Sequence, residues 1–204
     1  MTERDRLAAL QAENDRLAAL LDSHGIGANA ATGRWAIECF DDAYCQTMNI
    51  YTVGYEGLAL EEFLLQLRRA RVQTIVDVRD VPLSRKRGFS KTALAGALDG
   101  AGMKYLHVRS LGCPKSIRDQ YRMNRDWGAY TAAFMKHLSK QAAAVSELAN
   151  LCESRTAALL CYEADAGFCH RTYVARAAAA VSGGSVFHIG AAGVTPDRAI
   201  AAAA

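Results

Sequence analysis

Reactive side chains are concentrated in one stretch of the chain, residues 159–171, which reads LLCYEADAGFCHR. The stretch follows a short apolar run and leads into an alanine-rich segment, residues 172–181, that we expect to be a helix. Cys169 would lie at the start of that helix, where unpaired backbone N–H groups and the helix dipole stabilise anions. Beside His170 and Arg171, a thiol in this position should have a depressed pKa. The sequence therefore predicts a reactive thiol at a strand-to-helix junction.

Two kinds of thiol chemistry fit this stretch. Cys161 or Cys169 could act as a nucleophile while Glu163 or His170 transfers protons. The two thiols could instead form a reversible disulfide. A structural alternative stays open, in which Glu163 and Arg171 form an ion pair and the cluster only braces the junction.

A metal site is a further interpretation of the same residues. Cys161, Cys169 and His170, with or without Cys113, could supply ligands for zinc. The spacing matches no common zinc pattern, however, and adjacent Cys and His residues rarely bind one ion. We therefore expect no metal and no other cofactor, with zinc as the disfavoured alternative.

A second group of polar residues lies in the segment DVRDVPLSRKRGFS, residues 77–90. The planar fork of arginine suits bidentate binding of phosphate or carboxylate, so Arg79 and Arg85 are candidate anion-binding residues. Arg79 comes two residues after Asp77 at a predicted strand end, and we expect it to face inward, onto a ligand or onto an acid. For the two cations that follow Arg85, a solvated basic loop is the simpler interpretation.

Strands and helices alternate from about residue 48 onwards. Short apolar runs predict five strands, at residues 50–54, 74–78, 104–108, 157–161 and 185–189. The segments between these strands have apolar residues at helical spacing. This pattern predicts an α/β fold: a single three-layer domain, residues 48–190, with a mainly parallel sheet of about five strands. Right-handed crossovers would place the carboxyl ends of these strands at one edge, so Tyr55, Arg79 and Cys161 are expected to share a cleft.

The segments outside this domain carry weaker patterns. Residues 1–22 have leucines at heptad positions around a central Asn14, which predicts a short amphipathic helix and a coiled coil that could pair two copies of the chain. Residues 23–47 are interpreted as a linker. Residues 191–204 are interpreted as a frayed low-complexity tail.

The composition narrows the class of protein. The chain has 204 residues, a formal net charge of +3 and 51% hydrophobic residues, which is ordinary for a globular domain. This net charge is too small to indicate nucleic-acid binding by itself, so any such surface must be local. No run approaches the roughly 18 apolar residues of a membrane span, and the N-terminus is charged from its third residue. We therefore expect a cytoplasmic protein with no membrane partner.

Several motifs, in this order, resemble one known family. The segments YTVGYEG, LEEF, VDVRDVPLSR, GFS and the Leu-Cys-x-Glu to Cys-His-Arg segment are similar to domain-of-unknown-function family 488, over about residues 50–189. The resemblance implies mainly a fold. It also marks the positions that match the family's recurring polar motifs, which are Asp77, Arg79, Arg85, Cys161, Glu163, Cys169, His170 and Arg171.

A weaker similarity in plan links the chain to rhodanese-like sulfurtransferases. In those proteins a cysteine placed like Cys161 accepts a sulfane sulfur in a cradle of backbone N–H groups. The loop in this chain is longer, and it carries Glu163 and Asp165, which would oppose an anionic persulfide.

The leading expectation is a domain that binds an anionic small molecule or nucleic acid and carries out chemistry on it. The anion-binding residues would be Arg79, Arg85 and Arg171, and the reactive residues Cys161, Glu163, Cys169 and His170, supported by Tyr55 and Asp77. One alternative is a non-catalytic nucleotide or nucleic-acid binding module whose cysteines only brace the junction. The other is rhodanese-like sulfur transfer.

Overall fold

A six-stranded sheet organises the part of the chain that the computed structural model describes, residues 48–197. Its elements follow in chain order: β1 (Asn49–Gly54), α1 (Leu60–Arg69), β2 (Thr74–Asp77), α2 (Lys91–Gly100), β3 (Lys104–His107), α3 (Lys115–Asn124), α4 (Trp127–Leu138), α5 (Ala142–Ser154), β4 (Ala157–Cys161), α6 (His170–Ser182), β5 (Ser185–Gly190) and β6 (Gly193–Pro196). Short 3-10 turns at Arg109–Leu111 and Ser139–Gln141 precede α3 and α5. The predicted coiled coil of residues 1–22 and the linker of residues 23–47 lie outside the described residues.

The strands lie in the order β3-β2-β4-β1-β5-β6. The first five are parallel to their neighbours, and β6 is antiparallel to β5. The predicted α/β fold with a mainly parallel sheet is therefore confirmed. Among residues 48–197, no helix has the length and apolar character needed to cross a membrane.

Apolar residues cover both faces of the sheet, which makes the domain three layers thick. On one face Ile50, Val76 and Leu159 pack into a core with α4, α5 and α6. On the other face Val53 and its neighbours in β2 and β4 pack against α1 and α2. Strands buried on both faces have nearly continuous apolar sequences, as the run from residue 157 to 161 shows.

The carboxyl ends of β1, β2 and β4 meet at one edge, as the sequence predicted. Gly54 is paired with Cys161 across β1 and β4, and Asp77 is paired with Leu160 across β2 and β4. The chain segments that leave these strands therefore begin side by side. This is the edge at which open parallel sheets bind their ligands.

The structure corrects the sequence prediction in two places. The segment between β3 and α4 contains a separate helix, α3, which was not predicted from the sequence. The supposed tail after Gly190 contains a sixth strand, β6, which pairs with β5 through a tight turn. All four residues of β6 are exposed, so no buried apolar position marks this strand in the sequence.

Candidate functional site

A cleft of about 990 Å³ opens at the carboxyl edge of the sheet. The loops that follow β1, β2 and β4 form part of its wall, and α3 and the start of α4 form the rest. The residues predicted for the site that line the cleft are Tyr55, Arg79, Arg85, Cys161, Glu163 and His170. The other three, Asp77, Cys169 and Arg171, are buried and contact these lining residues.

The loop after β4 lies directly against the end of β1. Both Tyr55 and Glu56 donate backbone hydrogen bonds to the carbonyl of Tyr162. A Cβ atom on Gly54 would lie only 1.8 Å from the carbonyl oxygen of Glu163. Glycine at position 54 therefore permits the close backbone approach that fixes Glu163 at the edge of the cleft.

Four side chains converge where β4 leads into α6. The Oε2 atom of Glu163 lies 2.8 Å from the sulfur of Cys161 and 3.2 Å from the sulfur of Cys169. The Nδ1 atom of His170 lies 3.7 Å from the sulfur of Cys161. The four groups, which we call the reactive cluster, have their donor atoms within 4.8 Å of one another, close enough to bind one ion.

The imidazole of His170 is held in one orientation. Its Nε2 atom lies 2.9 Å from the carbonyl oxygen of Val78, the residue that follows β2. Because a carbonyl oxygen only accepts hydrogen bonds, Nε2 carries the proton in this contact. In the neutral ring Nδ1 is therefore unprotonated, and its lone pair faces the cluster.

The two thiols of the cluster differ in acidity. Burial raises the pKa of Cys161 well above its ordinary value, and the neighbouring Cys169 and Glu163 raise it further. Burial opposes ionisation of Cys169 as well. However, its hydrogen bonds with Cys161 and His170, together with the charge of Arg171, bring the pKa of Cys169 well below its ordinary value. Of the two thiols, Cys169 therefore has the lower pKa.

The other two members of the cluster respond to the same surroundings. Burial raises the pKa of the Glu163 carboxyl group, and the adjacent Cys169 raises it further. Burial favours the neutral form of His170, but the hydrogen bond and negative charge of Cys169, with the contact to Val78, leave the pKa of His170 raised overall. The members of the cluster therefore titrate as one coupled group.

Arg171 lies beneath the loop of the cluster and is only 1% exposed. Its guanidinium donates to the carbonyl oxygens of Glu163 and Ala164 and to the hydroxyl of Thr52 on β1. These contacts hold the loop in place and bring a positive charge close to Cys169. Direct contact between Arg171 and an anionic ligand stays a prediction.

Arg79 forms an ion pair with Asp77, one of the two arrangements that the sequence left open. Its Nε and Nη2 atoms lie 2.8 and 2.6 Å from the two carboxylate oxygens of Asp77. Nη1 also donates to the hydroxyl of Tyr55 and to the carbonyl oxygen of Phe89. Burial alone would lower the pKa of Arg79, but the contacts with Asp77 and Tyr55 raise it, so the side chain stays charged. These contacts fix the loop after β2 and orient Tyr55.

Arg85 and Lys86 present further positive charge to the cleft. Arg85 is exposed, whereas Lys86 is partly buried, with its Nζ atom 3.2 Å from the carbonyl oxygen of Tyr55 and 5.6 Å from the centre of the Phe89 ring. Within residues 48–197 neither cation has an ion-pair partner. The sequence favoured a solvated role for Lys86, but this residue forms part of the cleft wall.

The opposite wall of the cleft comes from α3, which the sequence analysis missed. Arg118, Arg122 and Arg125 line the cleft from this helix and its C-terminal cap. Arg118 pairs with Asp80 at 2.8 Å and Arg122 with Asp119 at 2.9 Å, whereas Arg125 has no ion-pair partner in the described part of the chain. The spacing of positions 118, 121, 122 and 125 places these side chains on one helical face, and this was the signal that could have revealed the wall.

Aromatic rings occupy the rim of the same cleft. Trp127 stacks on Tyr130 at 4.7 Å and lies 5.3 Å from Phe168. Tyr162 and Phe168 leave 45% and 53% of their surface exposed. The cleft therefore combines unpaired cations with accessible flat rings, next to the reactive cluster.

Comparison with known proteins identifies one family. A family model described as "Domain of unknown function DUF488" matches residues 59–178, a range that contains the whole reactive cluster and most of the cleft wall. The match lies within the range over which the sequence motifs resemble that family. Neither the curated proteins nor the solved structures include a match to the chain.

Proposed function

Because the chain belongs to the DUF488 family, a domain of unknown function, we propose its function from its own cleft: an enzyme that binds an anionic, phosphate-bearing ligand and acts on it at the reactive cluster. One observation carries this proposal. Cations that have no ion-pair partner among residues 48–197 line the same cleft of about 990 Å³ as three members of the cluster, Cys161, Glu163 and His170. A ligand held by the cations would lie against the cluster.

The unpaired cations supply the affinity for an anion. Arg85 and Lys86 approach from the loop after β2, and Arg125 approaches from the end of α3. A charge-assisted hydrogen bond contributes about 1.5 to 3 kcal/mol, and arginine can form two such bonds with one phosphate. Arg79 is neutralised by Asp77, and Arg118 shares Asp80 with Arg109, so we assign both arginines to shaping the cleft.

The exposed rings favour a ligand that has a flat group beside its phosphate. Tyr162 and Phe168 are accessible at the rim, and Trp127 lies behind Phe168. A base stacked on such a ring contributes about 1 to 3 kcal/mol. A nucleotide has both the phosphate for the cations and the base for the rings.

The cluster favours an enzyme over a module that only binds. Cys161, Glu163 and His170 line the cleft instead of being sealed inside the core. Two thiols, a carboxyl and an imidazole that meet in a cleft can transfer protons and attack or coordinate a ligand, whereas binding an anion requires none of them. Glu163 also covers the sulfur of Cys161 at 2.8 Å, which gives sulfur transfer through an anionic persulfide less support.

A non-catalytic module for single-stranded nucleic acid is the second candidate function. Its support is the alternation of cations and exposed rings along the cleft, which is the composition of sites that bind unpaired nucleic acid. The two candidates differ in their dependence on salt and on length. A strand that contacts several cations should lose affinity steeply as salt rises, and a mononucleotide should lose far less.

Titration calorimetry on the full chain tests the binding step with three probes: inorganic phosphate, adenosine 5′-monophosphate and a single-stranded DNA of about 12 nucleotides. Arg85→Gln and Arg125→Gln should each weaken binding of the mononucleotide by about tenfold or more. Arg155→Gln is the matched control, because this exposed residue lies before the amino end of β4, at the other edge of the sheet. Equal affinities in all three variants, or no binding of any probe, would overturn the proposal.

A turnover assay distinguishes an enzyme from a module that only binds its ligand. The protein is incubated with a mixture of phosphate-bearing metabolites, and the mixture is followed by mass spectrometry. The wild-type chain should consume at least one compound that Cys161→Ser leaves intact, while both proteins bind adenosine 5′-monophosphate equally. A wild-type chain that binds the DNA tightly and changes no compound would favour the module.

A further inference from the structure

The geometry of the reactive cluster is that of a metal site. In a tetrahedral zinc site the bonds are about 2.0 to 2.3 Å long, which places neighbouring ligand atoms about 3.5 Å apart. In this structure the sulfur of Cys161 lies 3.7 Å from Nδ1 of His170, and the sulfur of Cys169 lies 3.2 Å from Oε2 of Glu163. All four donor atoms lie within 4.8 Å of one another. An outward shift of the Glu163 carboxylate is the main adjustment that an ion would need.

The groups around the cluster already orient its members as ligands. His170 donates its Nε2 proton to the carbonyl of Val78 and so keeps the lone pair of Nδ1 directed at the cluster. A ligating histidine usually donates its second ring N–H in this way, often to a backbone carbonyl. Cys169 begins α6 and Cys161 ends β4, so two regular elements fix both sulfurs. These supports are independent of the close contacts among the four groups.

Charge balance points to a divalent cation. Two thiolates and one carboxylate carry three negative charges, which a buried cluster cannot hold without compensation. A divalent ion removes two of these charges, and the guanidinium of Arg171, held against the loop by the carbonyl of Ala164, balances the third. Two sulfur ligands with one imidazole and one carboxylate suit zinc better than magnesium or calcium, which prefer oxygen alone.

We propose that Cys161, Glu163, Cys169 and His170 together bind one Zn²⁺ ion at the floor of the cleft. This inference deepens the proposed function and rests on it, because the ion would lie beside a ligand that is held by the cations of the cleft. It also revises the expectation from spacing alone. Cys169 and His170 are adjacent in sequence, but the first lies at the cap of α6 and the second in its first turn, so their side chains reach the same point.

Metal content and cobalt spectroscopy test the site on the full chain, purified without chelator and free of any affinity tag. Mass spectrometry of the metal should give about one zinc per chain for the wild type and less than about one fifth of that for Cys161→Ser and Cys169→Ser. Cys152→Ser is the matched control and should keep the wild-type content. Cys152 is also a buried thiol, but it lies in α5 before the amino end of β4, and burial raises its pKa to about 12.

Two further measurements keep the result clear if a cysteine variant fails to fold. Wild-type protein stripped by a chelator should take up one equivalent of Co²⁺ and develop a thiolate-to-cobalt charge-transfer absorption. Glu163→Gln should weaken zinc binding by about tenfold or more, as measured by competition with a chelating dye. Cys39→Ser/Cys45→Ser should keep the zinc, which excludes the cysteines outside the described residues.

The failure of this proposal can be distinguished from that of the proposed function. Absence of zinc from the purified wild type, together with absence of the cobalt band, would overturn the metal site. So would equal loss of zinc in the Cys152→Ser control. Binding of adenosine 5′-monophosphate is measured on the same samples, since the cations of the cleft do not depend on the ion. Zinc without nucleotide binding would overturn only the proposed ligand.

Discussion

The carbonyl oxygen of Glu163 lies only 1.8 Å from the position that a Cβ atom on Gly54 would occupy. The end of β1 and the loop that carries the cluster are thus in backbone contact. The position of Glu163 depends on the absence of a side chain on a residue more than a hundred positions earlier in the chain.

We expect Gly54→Ala to destabilise the fold by about 2 kcal/mol or more, because the added methyl group must displace backbone atoms. Gly96→Ala is the control, because this glycine is exposed in the middle of α2 and nothing lies within 4 Å of an added Cβ. Alanine should stabilise that helix by about 0.5 to 1 kcal/mol. Urea denaturation measures both changes. A Gly54→Ala protein as stable as the wild type would show that the loop can move away freely.

Removal of one partner from the buried ion pair between Asp77 and Arg79 should cost more stability than removal of one partner from an exposed pair. Asp77→Asn leaves the guanidinium of Arg79 buried without its counter-charge, which costs about 3 to 5 kcal/mol. Asp99→Asn, on the exposed face of α2, should change the free energy of unfolding by less than about 0.5 kcal/mol. Thermal unfolding followed by circular dichroism compares the two variants. Equal melting temperatures would contradict the role we give to Asp77.

The buried carboxylate of Asp197 predicts a loss of stability in acid. Burial would raise its pKa, but hydrogen bonds from His188 and Arg176 bring the pKa well below its ordinary value near 3.8. A carboxyl with a lowered folded pKa stabilises the fold above its unfolded pKa, and this contribution disappears as the pH falls towards the folded value. Between pH 6 and pH 3 the wild type should therefore lose on the order of 1 to 2 kcal/mol more than Asp197→Asn. Parallel slopes of unfolding free energy against pH would refute this.

The ring of Phe168 should distinguish a nucleotide from a simple phosphate. Phe168→Leu removes an exposed ring next to Trp127. We expect it to weaken binding of adenosine 5′-monophosphate by about fivefold or more and to leave inorganic phosphate unaffected. Calorimetry with both probes measures the difference. If both affinities fall together, the side chain supports the shape of the loop and does not stack on a base.

Asp126 caps α4, the helix that carries Trp127 and Tyr130. Its carboxylate accepts a hydrogen bond of 2.9 Å from the backbone of Ala129 in the first turn of α4. Asp126→Ala should cost about 1 kcal/mol, and Asp126→Asn, which keeps an accepting oxygen, should cost far less. Chemical denaturation of the two variants provides the comparison. An equal cost would mean that the charge of Asp126, and not its hydrogen bond, stabilises α4.

The fold and the cluster could be predicted from the sequence because both depend on strong local signals. Apolar runs such as residues 157–161 mark parallel strands, and a parallel sheet brings Tyr55, Arg79 and Cys161 to one edge whatever their separation in sequence. Asp126 is likewise a local signal, because aspartate is a preferred residue at the start of a helix, and it caps α4.

The missed elements have weak local signals. No residue of α3 is fully buried, and only Ile117 and Tyr121 pack against the core, so the apolar face of this helix is short. The strand β6 has four exposed residues and ends at Pro196, and only its backbone pairing with β5 defines it. The pairing of Arg79 with Asp77 was one of two arrangements that the sequence allowed. The contacts of Arg79 with the carbonyl of Phe89 and of Arg171 with the carbonyls of the cluster loop leave no residue pattern. Their ligand-binding roles stay predictions.

The residues proposed for recognition and those proposed for reaction come from different segments of this chain. The four members of the cluster all come from β4, α6 and the loop between them, whereas Arg85, Lys86 and Arg125 come from the connections after β2 and α3. Exchange of the exposed recognition loops would therefore change the preferred ligand without moving a cluster atom. Under the proposed function, the domain would combine a fixed chemical centre with a specificity surface that can be exchanged, which would make it a suitable starting point for redesign.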